Sequence, residues 1–199
     1  MAEKLHITGH LILMMAPMAS GKGQLVAHVR EQYPSIKFLV SCTTREPRPG
    51  EVDGADYYFI TRESFTAKIN NDEFLEWAEF SGNLYGTLKS EIVGPLQSGE
   101  IVLNEIELQG IQILEEIIPT QHRTVIYIEN GGWEVSLRRM QARAPMSDEH
   151  VALRYERYLE EIKVKPYADV IIENFDGKLD EAKQQLDTVI AKIQAKLEQ

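Results

Sequence analysis

The feature that most restricts how this chain can fold is the order of its first forty residues. An apolar run at residues 11–15 leads into a loop of small residues, Ala16-Pro17-Met18-Ala19-Ser20-Gly21-Lys22-Gly23. Leu25, Val26 and Val29 then recur at helical spacing until Pro34, and a second short apolar segment follows at 38–40. Strand, loop, helix, strand is the start of a parallel sheet, because a crossover helix returns the chain to the same end of the sheet. The pattern resumes later in the chain. Residues 101–103 read as a buried strand, 111–118 as a helix closed by Pro119, and 124–128 and 170–172 as further strands. From Leu179 onward, Leu179, Ala182, Leu186, Val189, Ile190, Ile193 and Leu197 form one apolar stripe, the mark of a packed amphipathic helix. A parallel central sheet with helices on both faces is the expected architecture.

Two stretches interrupt this rhythm. Residues 41–92 are rich in turns and aromatics and read as an inserted lobe. Gly131-Gly132 marks a hinge into a helical segment, 133–160, that carries Arg138, Arg139, Arg143, Arg154 and Arg157. At 199 residues the whole reads as one domain. Its expected parts are a core (1–40, 93–130 and 161–199), a lobe (41–92) and a mobile arm (131–160).

The chemistry is concentrated in two places. A strand, a small-residue loop and Gly21-Lys22 at a helix start form a nest of backbone N–H groups, which attracts anions. The fit to the common phosphate-loop pattern is imperfect. Ala16 stands where the first glycine is usual, and Gly23 where a Mg²⁺-binding hydroxyl is usual. An alanine forced to positive φ at 16 or 19 would cost roughly 1–2 kcal/mol. The second place is the stretch from Ser41 to Phe59. It sets Arg45 and Arg48 three residues apart among prolines and glycines, with Tyr57 and Tyr58 beyond. Arginine offers a planar fork matched to phosphate, and tyrosine hydroxyls can complete a cradle. Two phosphate sites suggest a donor and an acceptor, hence phosphoryl transfer between nucleotides.

Several ordered motifs then give the chain a family resemblance. They are S-x-T-T-R-x-P-R-x-G-E-x-D-G at 41–54, D-Y-x-F at 56–59, E-F-x-E-W at 73–77, S-G-N-x-Y-G-T at 81–87 and L-Q-G at 108–110. With these the chain resembles the guanylate kinases over nearly its whole length. The resemblance implies a three-layer P-loop α/β fold with a small mixed α+β GMP-binding lobe and a helical lid. It implies transfer of the ATP γ-phosphoryl group to GMP with Mg²⁺. ATP would lie along Ala16, Pro17, Met18, Ala19, Ser20, Gly21, Lys22, Gly23 and Gln24. Arg45, Arg48, Tyr57 and Tyr85 would hold the acceptor phosphate. Glu76 would accept from guanine N1–H and the exocyclic amine, and Ser41 and Thr87 would donate to O6, with Gly86 and Glu107 also at the GMP site. Lys22, Arg45, Arg139, Arg143 and Arg154 would carry catalysis. Glu105 and Glu107, where the family usually has aspartates, would organise Mg²⁺ through water. The base chemistry argues the same way independently, because adenine would leave Glu76 facing a ring lone pair.

The departures lie on the donor side: Ala16, Met18, Ala19, Gly23, the two glutamates, and Glu173-Asn174 where Asn-Asp is usual. Three readings stay open on sequence alone. They are an active guanylate kinase, a module that binds GMP or a phosphorylated partner without turnover, and a kinase with a changed triphosphate donor. Tolerance of dGMP and oligomeric state also stay open. The net charge of −10 argues against nucleic acid as a partner. The absence of a signal pattern or a membrane-length apolar run argues against a membrane, and the single cysteine, Cys42, fits a reducing cytoplasm. His6, His10, His28, His122 and His150 are scattered without metal-ligand spacing.

Overall fold

A computed structural model describes residues 6–80, 82–105 and 108–198. The elements run β1 (His10–Met15), α1 (Lys22–Gln32), β2 (Lys37–Phe38), β3 (Cys42–Thr43), β4 (Tyr58–Phe59), α2 (Arg62–Asn70), β5 (Phe74–Phe80) and β6 (Asn83–Leu88). They continue as α3 (Lys89–Gln97), β7 (Ile101–Glu105), α4 (Leu108–Ile117), β8 (Arg123–Glu129), α5 (Trp133–Gln141), α6 (Asp148–Glu161), β9 (Val170–Glu173) and α7 (Leu179–Leu197).

The expected central sheet is present. Five strands in the order β2-β7-β1-β8-β9 pair in parallel throughout. β1 lies at the centre and is buried along its length. Its side chains alternate between two apolar clusters, as the two-residue period of a strand requires. Ile12 and Met14 join Leu25 and Val29 of α1 and Leu186 and Ile190 of α7 on one face. Leu11, Leu13 and Met15 join Ile92 and Leu96 of α3 and Ile111 and Leu114 of α4 on the other. The whole stripe expected on α7 packs against the first cluster. Each large aliphatic side chain buried this way contributes roughly 1.5–3 kcal/mol.

A second, four-stranded mixed sheet, β4-β3-β6-β5, carries its own small core. Phe65 of α2 stacks on Phe74 of β5 with centroids 4.2 Å apart. Thr61 caps α2 by accepting from Ser64 N–H at 3.1 Å.

The structure departs from the sequence reading in three respects. The expected boundary at residue 92 falls inside α3, whose Ile92 and Leu96 pack with the central core. Gly94 and Pro95 disfavour a helix locally, but burial of Ile92 and Leu96 outweighs that penalty. The expected helix over 133–160 is two helices. Pro145 lies in the break, and Ser147 starts α6 by accepting from His150 N–H at 3.4 Å. The second strand is shorter and earlier than 38–40. No helix among the described residues is long and apolar enough to cross a membrane.

Candidate active site

At the C-terminal end of β1 the chain turns through residues 16–21 into α1, the position at which open parallel sheets bind ligands. Ala19 takes φ 56, so the strain anticipated for this loop falls there and not on Ala16. Gly21 takes φ 84, and a Cβ on it would meet Asn174 Nδ2 at 2.3 Å, so glycine is required twice over. The loop is held by distant side chains. Glu161 accepts from Met18 N–H at 2.6 Å, and Ser136 Oγ donates to the Met18 carbonyl at 3.1 Å. Arg139 donates to the Ala19 carbonyl at 3.1 Å, and Asn174 Nδ2 to that of Ser20 at 2.7 Å.

A cavity of about 480 Å³ lies over the loop, lined by residues 16–24, Arg143, Arg154, Arg157 and Glu161. Two of the three expected lid arginines, Arg143 and Arg154, are therefore brought to the loop. Arg139 is placed differently. It lines an adjoining cavity of about 400 Å³ with Arg143, Asn174, Phe175 and Leu179. Its guanidinium is engaged by Ala19, by the Asn174 carbonyl at 2.9 Å and by Asp176. Asp176 is held below the usual carboxylate range, chiefly by its hydrogen bond from Arg139. Arg138 pairs with the same carboxylate at the surface. Arg157 and Glu161, which the sequence reading did not assign to the site, also line the loop cavity. The available signal was helical spacing: Arg157 lies three residues beyond Arg154, on the same face.

The acceptor residues assemble on the second sheet. Glu76 on β5 stands directly opposite Thr87 on β6, and Thr87 Oγ1 donates to Glu76 Oε1 at 2.7 Å. Ser41 Oγ lies 3.3 Å from Thr87 Oγ1, which completes a chain of carboxylate and two hydroxyls. Gly86 allows the strands to close: a Cβ there would lie 2.9 Å from Glu76 O, Phe74 Cδ1 and Trp77 Cβ. Tyr57 and Tyr85 meet edge to face with centroids 6.1 Å apart, and Arg45 Cζ lies 5.4 Å from the Tyr57 ring centroid. Glu51 grips Arg45 through two hydrogen bonds of 2.8 and 2.9 Å and also accepts from Arg48 N–H at 2.6 Å. These hydrogen bonds hold the Glu51 carboxyl at about 2 and push the Arg45 guanidinium further up. Arg45 Nε is buried with no partner among the described residues. Arg48 is exposed beside this cluster.

The two groups of expected site residues meet at Glu105, the last residue of β7. Its carboxylate is 3.2 Å from Lys22 Nζ, and it lines a cavity of about 320 Å³ with Asn104, Asp56, Tyr57 and Ser41. Glu107 and Ser81 lie outside the described residues. Among the described residues, no group of three His, Cys, Asp or Glu side chains is placed to hold a metal ion. Among the described residues, a single carboxylate such as Glu105 beside the loop lysine suits a Mg²⁺ ion carried by phosphates and water rather than by a protein cage.

The chain is similar to known proteins. The sequence profile of the guanylate kinase family matches residues 8–193. The guanylate kinase of Synechococcus sp. (strain JA-3-3Ab) is 37% identical over 182 residues, 92% of this chain and 82% of that protein. That of Synechococcus elongatus is 37% identical over 94% of this chain and 96% of its own length. In structure, the chain is similar to the guanylate kinase from Anaplasma phagocytophilum, with a TM-score of 0.67 and 24% identity, covering 94% of this chain and 86% of that one.

Proposed function

This chain belongs to the guanylate kinase family of nucleoside monophosphate kinases, and from that membership we propose how its own residues divide the transfer of the ATP γ-phosphoryl group to GMP. The observation that carries the assignment is Glu105, which touches the phosphate-loop lysine and lines the cavity shared with Ser41 and Tyr57.

Residues 41–88, up to the start of α3, form the GMP lobe. Glu76 accepts from guanine N1–H and the exocyclic amine, while Ser41 and Thr87 supply hydroxyl donors to O6. The Thr87–Glu76 bond orients that set before GMP arrives. The acceptor phosphate lies against Arg45, Arg48, Tyr57 and Tyr85, and gives the buried Arg45 Nε the acceptor it lacks. Glu51 keeps the planar Arg45 fork aimed. Gly86 and Glu107 complete the acceptor side, and dGMP is to be tested beside GMP.

Residues 16–24 hold the ATP phosphates. Lys22 exchanges Glu105 for phosphate oxygens, and Arg143 and Arg154 neutralise charge spread over the transferring group. Arg139 joins the donor wall to the loop. Glu105 and Glu107 would hold Mg²⁺ through water, and the ion would supply charge neutralisation on the phosphates. Residues 131–160 act as the lid, whose closure excludes water and limits ATP hydrolysis. Substrates of this kind place the activity in the cytoplasm.

The test is ADP and GDP formation from ATP and Mg²⁺, with GMP, AMP, UMP and CMP as parallel acceptors. GDP formed from GMP, with the other acceptors inert, is the expected result. Tight GMP binding with no ADP formed from any triphosphate would replace this reading with that of a binding module.

A further inference from the structure

The residue after the loop lysine, Gly23, has no hydroxyl to offer a Mg²⁺-bound triphosphate. The fold does not require glycine there. Its φ lies outside the left-handed region, and a Cβ built on it meets no atom within 4 Å. The position would accept serine and has none. The loop cavity instead contains an arginine beyond Arg143 and Arg154. Arg157 lines the same space as Lys22. It lies three residues after Arg154 on α6, so both project from one helix face.

Arg157 is also oriented. Its Nε donates to Glu161 Oε1 at 3.0 Å, one helical turn further on. The other oxygen of that carboxylate takes Met18 N–H at 2.6 Å. One carboxylate thus connects the guanidinium to a peptide of the phosphate loop, and its side chain is only 20% exposed. A surface arginine on a solvated helix has no such tie to a distant loop. A guanidinium oriented toward phosphate oxygens loses less rotamer freedom on binding than a mobile one.

We propose that Arg157 binds the donor triphosphate as a third arginine beside Arg143 and Arg154, supplying cationic charge on the side of the loop that lacks a hydroxyl at Gly23. The proposal rests on the guanylate kinase reading of this site. Glu161 is the positioning residue that sets the direction of Arg157.

The test uses the full chain, with Arg157→Gln, Arg157→Lys, and Arg157→Gln combined with Gly23→Ser. ATP binding is measured by calorimetry without GMP, with and without Mg²⁺, alongside KM for ATP and for GMP. Arg157 is half exposed, and glutamine keeps its stem and helix propensity, so melting curves should match the parent. Arg157→Gln should weaken ATP about tenfold in both binding and KM, the loss of a charge-assisted hydrogen bond, and leave KM for GMP unchanged. Arg157→Lys should recover part of this, because a point charge replaces the fork. Adding Gly23→Ser should restore ATP affinity only when Mg²⁺ is present. ATP affinity unchanged in Arg157→Gln, or a loss shared equally by GMP, overturns the proposal. A parent protein that binds ATP and GMP yet forms no GDP overturns the kinase reading instead, and the calorimetry still decides the role of Arg157.

Discussion

The regions proposed as the acceptor and donor sides of this molecule are built in opposite ways. The acceptor site is drawn from residues 41–87, and its parts hold one another: Thr87 on Glu76, Ser41 beside Thr87, Glu51 on Arg45. The donor loop is held from outside. Four side chains from α5, the end of α6 and the segment after β9 fix the peptides of Met18, Ala19 and Ser20. A site that carries its own supports needs its motif intact, and the acceptor motif is intact. A loop supported by tertiary contacts can lose its usual residues and keep its path. Ala19 shows this by occupying φ 56 without a glycine.

The largest expected effect tests the self-contained side. Glu76→Gln removes the charged acceptor for two guanine donors and should lower kcat/KM for GMP roughly a thousandfold. KM for ATP should not change. An equal loss for both substrates would mean that the two sides are not separable.

Next comes a support of the donor side. Ser136 is fully buried between Asn130 Nδ2 and the Met18 carbonyl. Ser136→Ala strands both groups, at a cost of about 1–3 kcal/mol. Steady-state kinetics should show KM for ATP raised about tenfold and KM for GMP unmoved, although residue 136 is over a hundred positions from the loop. If GMP suffers as much as ATP, the loop is not the part that Ser136 supports.

A smaller effect is expected at Ala19. Ala19→Gly relieves the positive-φ strain and should raise stability by about 1 kcal/mol, read as a melting temperature higher by about 2–4 °C. No gain would mean that the external clamps do not strain the loop at all.

The smallest effect concerns acid. Glu51 folds with its carboxyl near 2, lowered first by the Arg45 hydrogen bonds, so the folded state binds protons more weakly than the unfolded chain. Its contribution to stability is complete above the ordinary carboxylate pKa of about 4.5 and is lost as pH falls toward 2. Denaturation at several pH values should show the difference between the parent and Glu51→Gln constant above that range and shrinking below it. A difference that persists at pH 2 would show that Glu51 acts by packing rather than by charge.

These contrasts also mark what could be read before the fold was seen. β1, α1, β8 and the stripe of α7 were legible because strand and helix periods are written directly in the spacing of apolar residues. That Ser41, Arg45, Tyr57, Glu76, Tyr85 and Thr87 would lie near one another was legible as well, since their motifs lie close together in the chain. α3 was not, because Gly94-Pro95 opposes a helix locally and only burial of Ile92 and Leu96 decides for it. Nor was the break at Pro145, which divides one expected helix in two. Arg139 and Arg157 show the same limit from the side of chemistry. Their sequence setting marks them as helix arginines, but not which cavity each one faces.

Sequence by itself therefore determined the parallel core and the membership of the guanylate kinase family, and marked out the residues proposed for the two nucleotide sites, because periodicity and compact motifs are local properties. The tertiary structure alone decided which side chains hold the donor loop, that Ala19 and not Ala16 bears its strain, and that Glu105 joins the two sites. Those outcomes depend on contacts between segments far apart in the chain, and no local pattern encodes the distance between them.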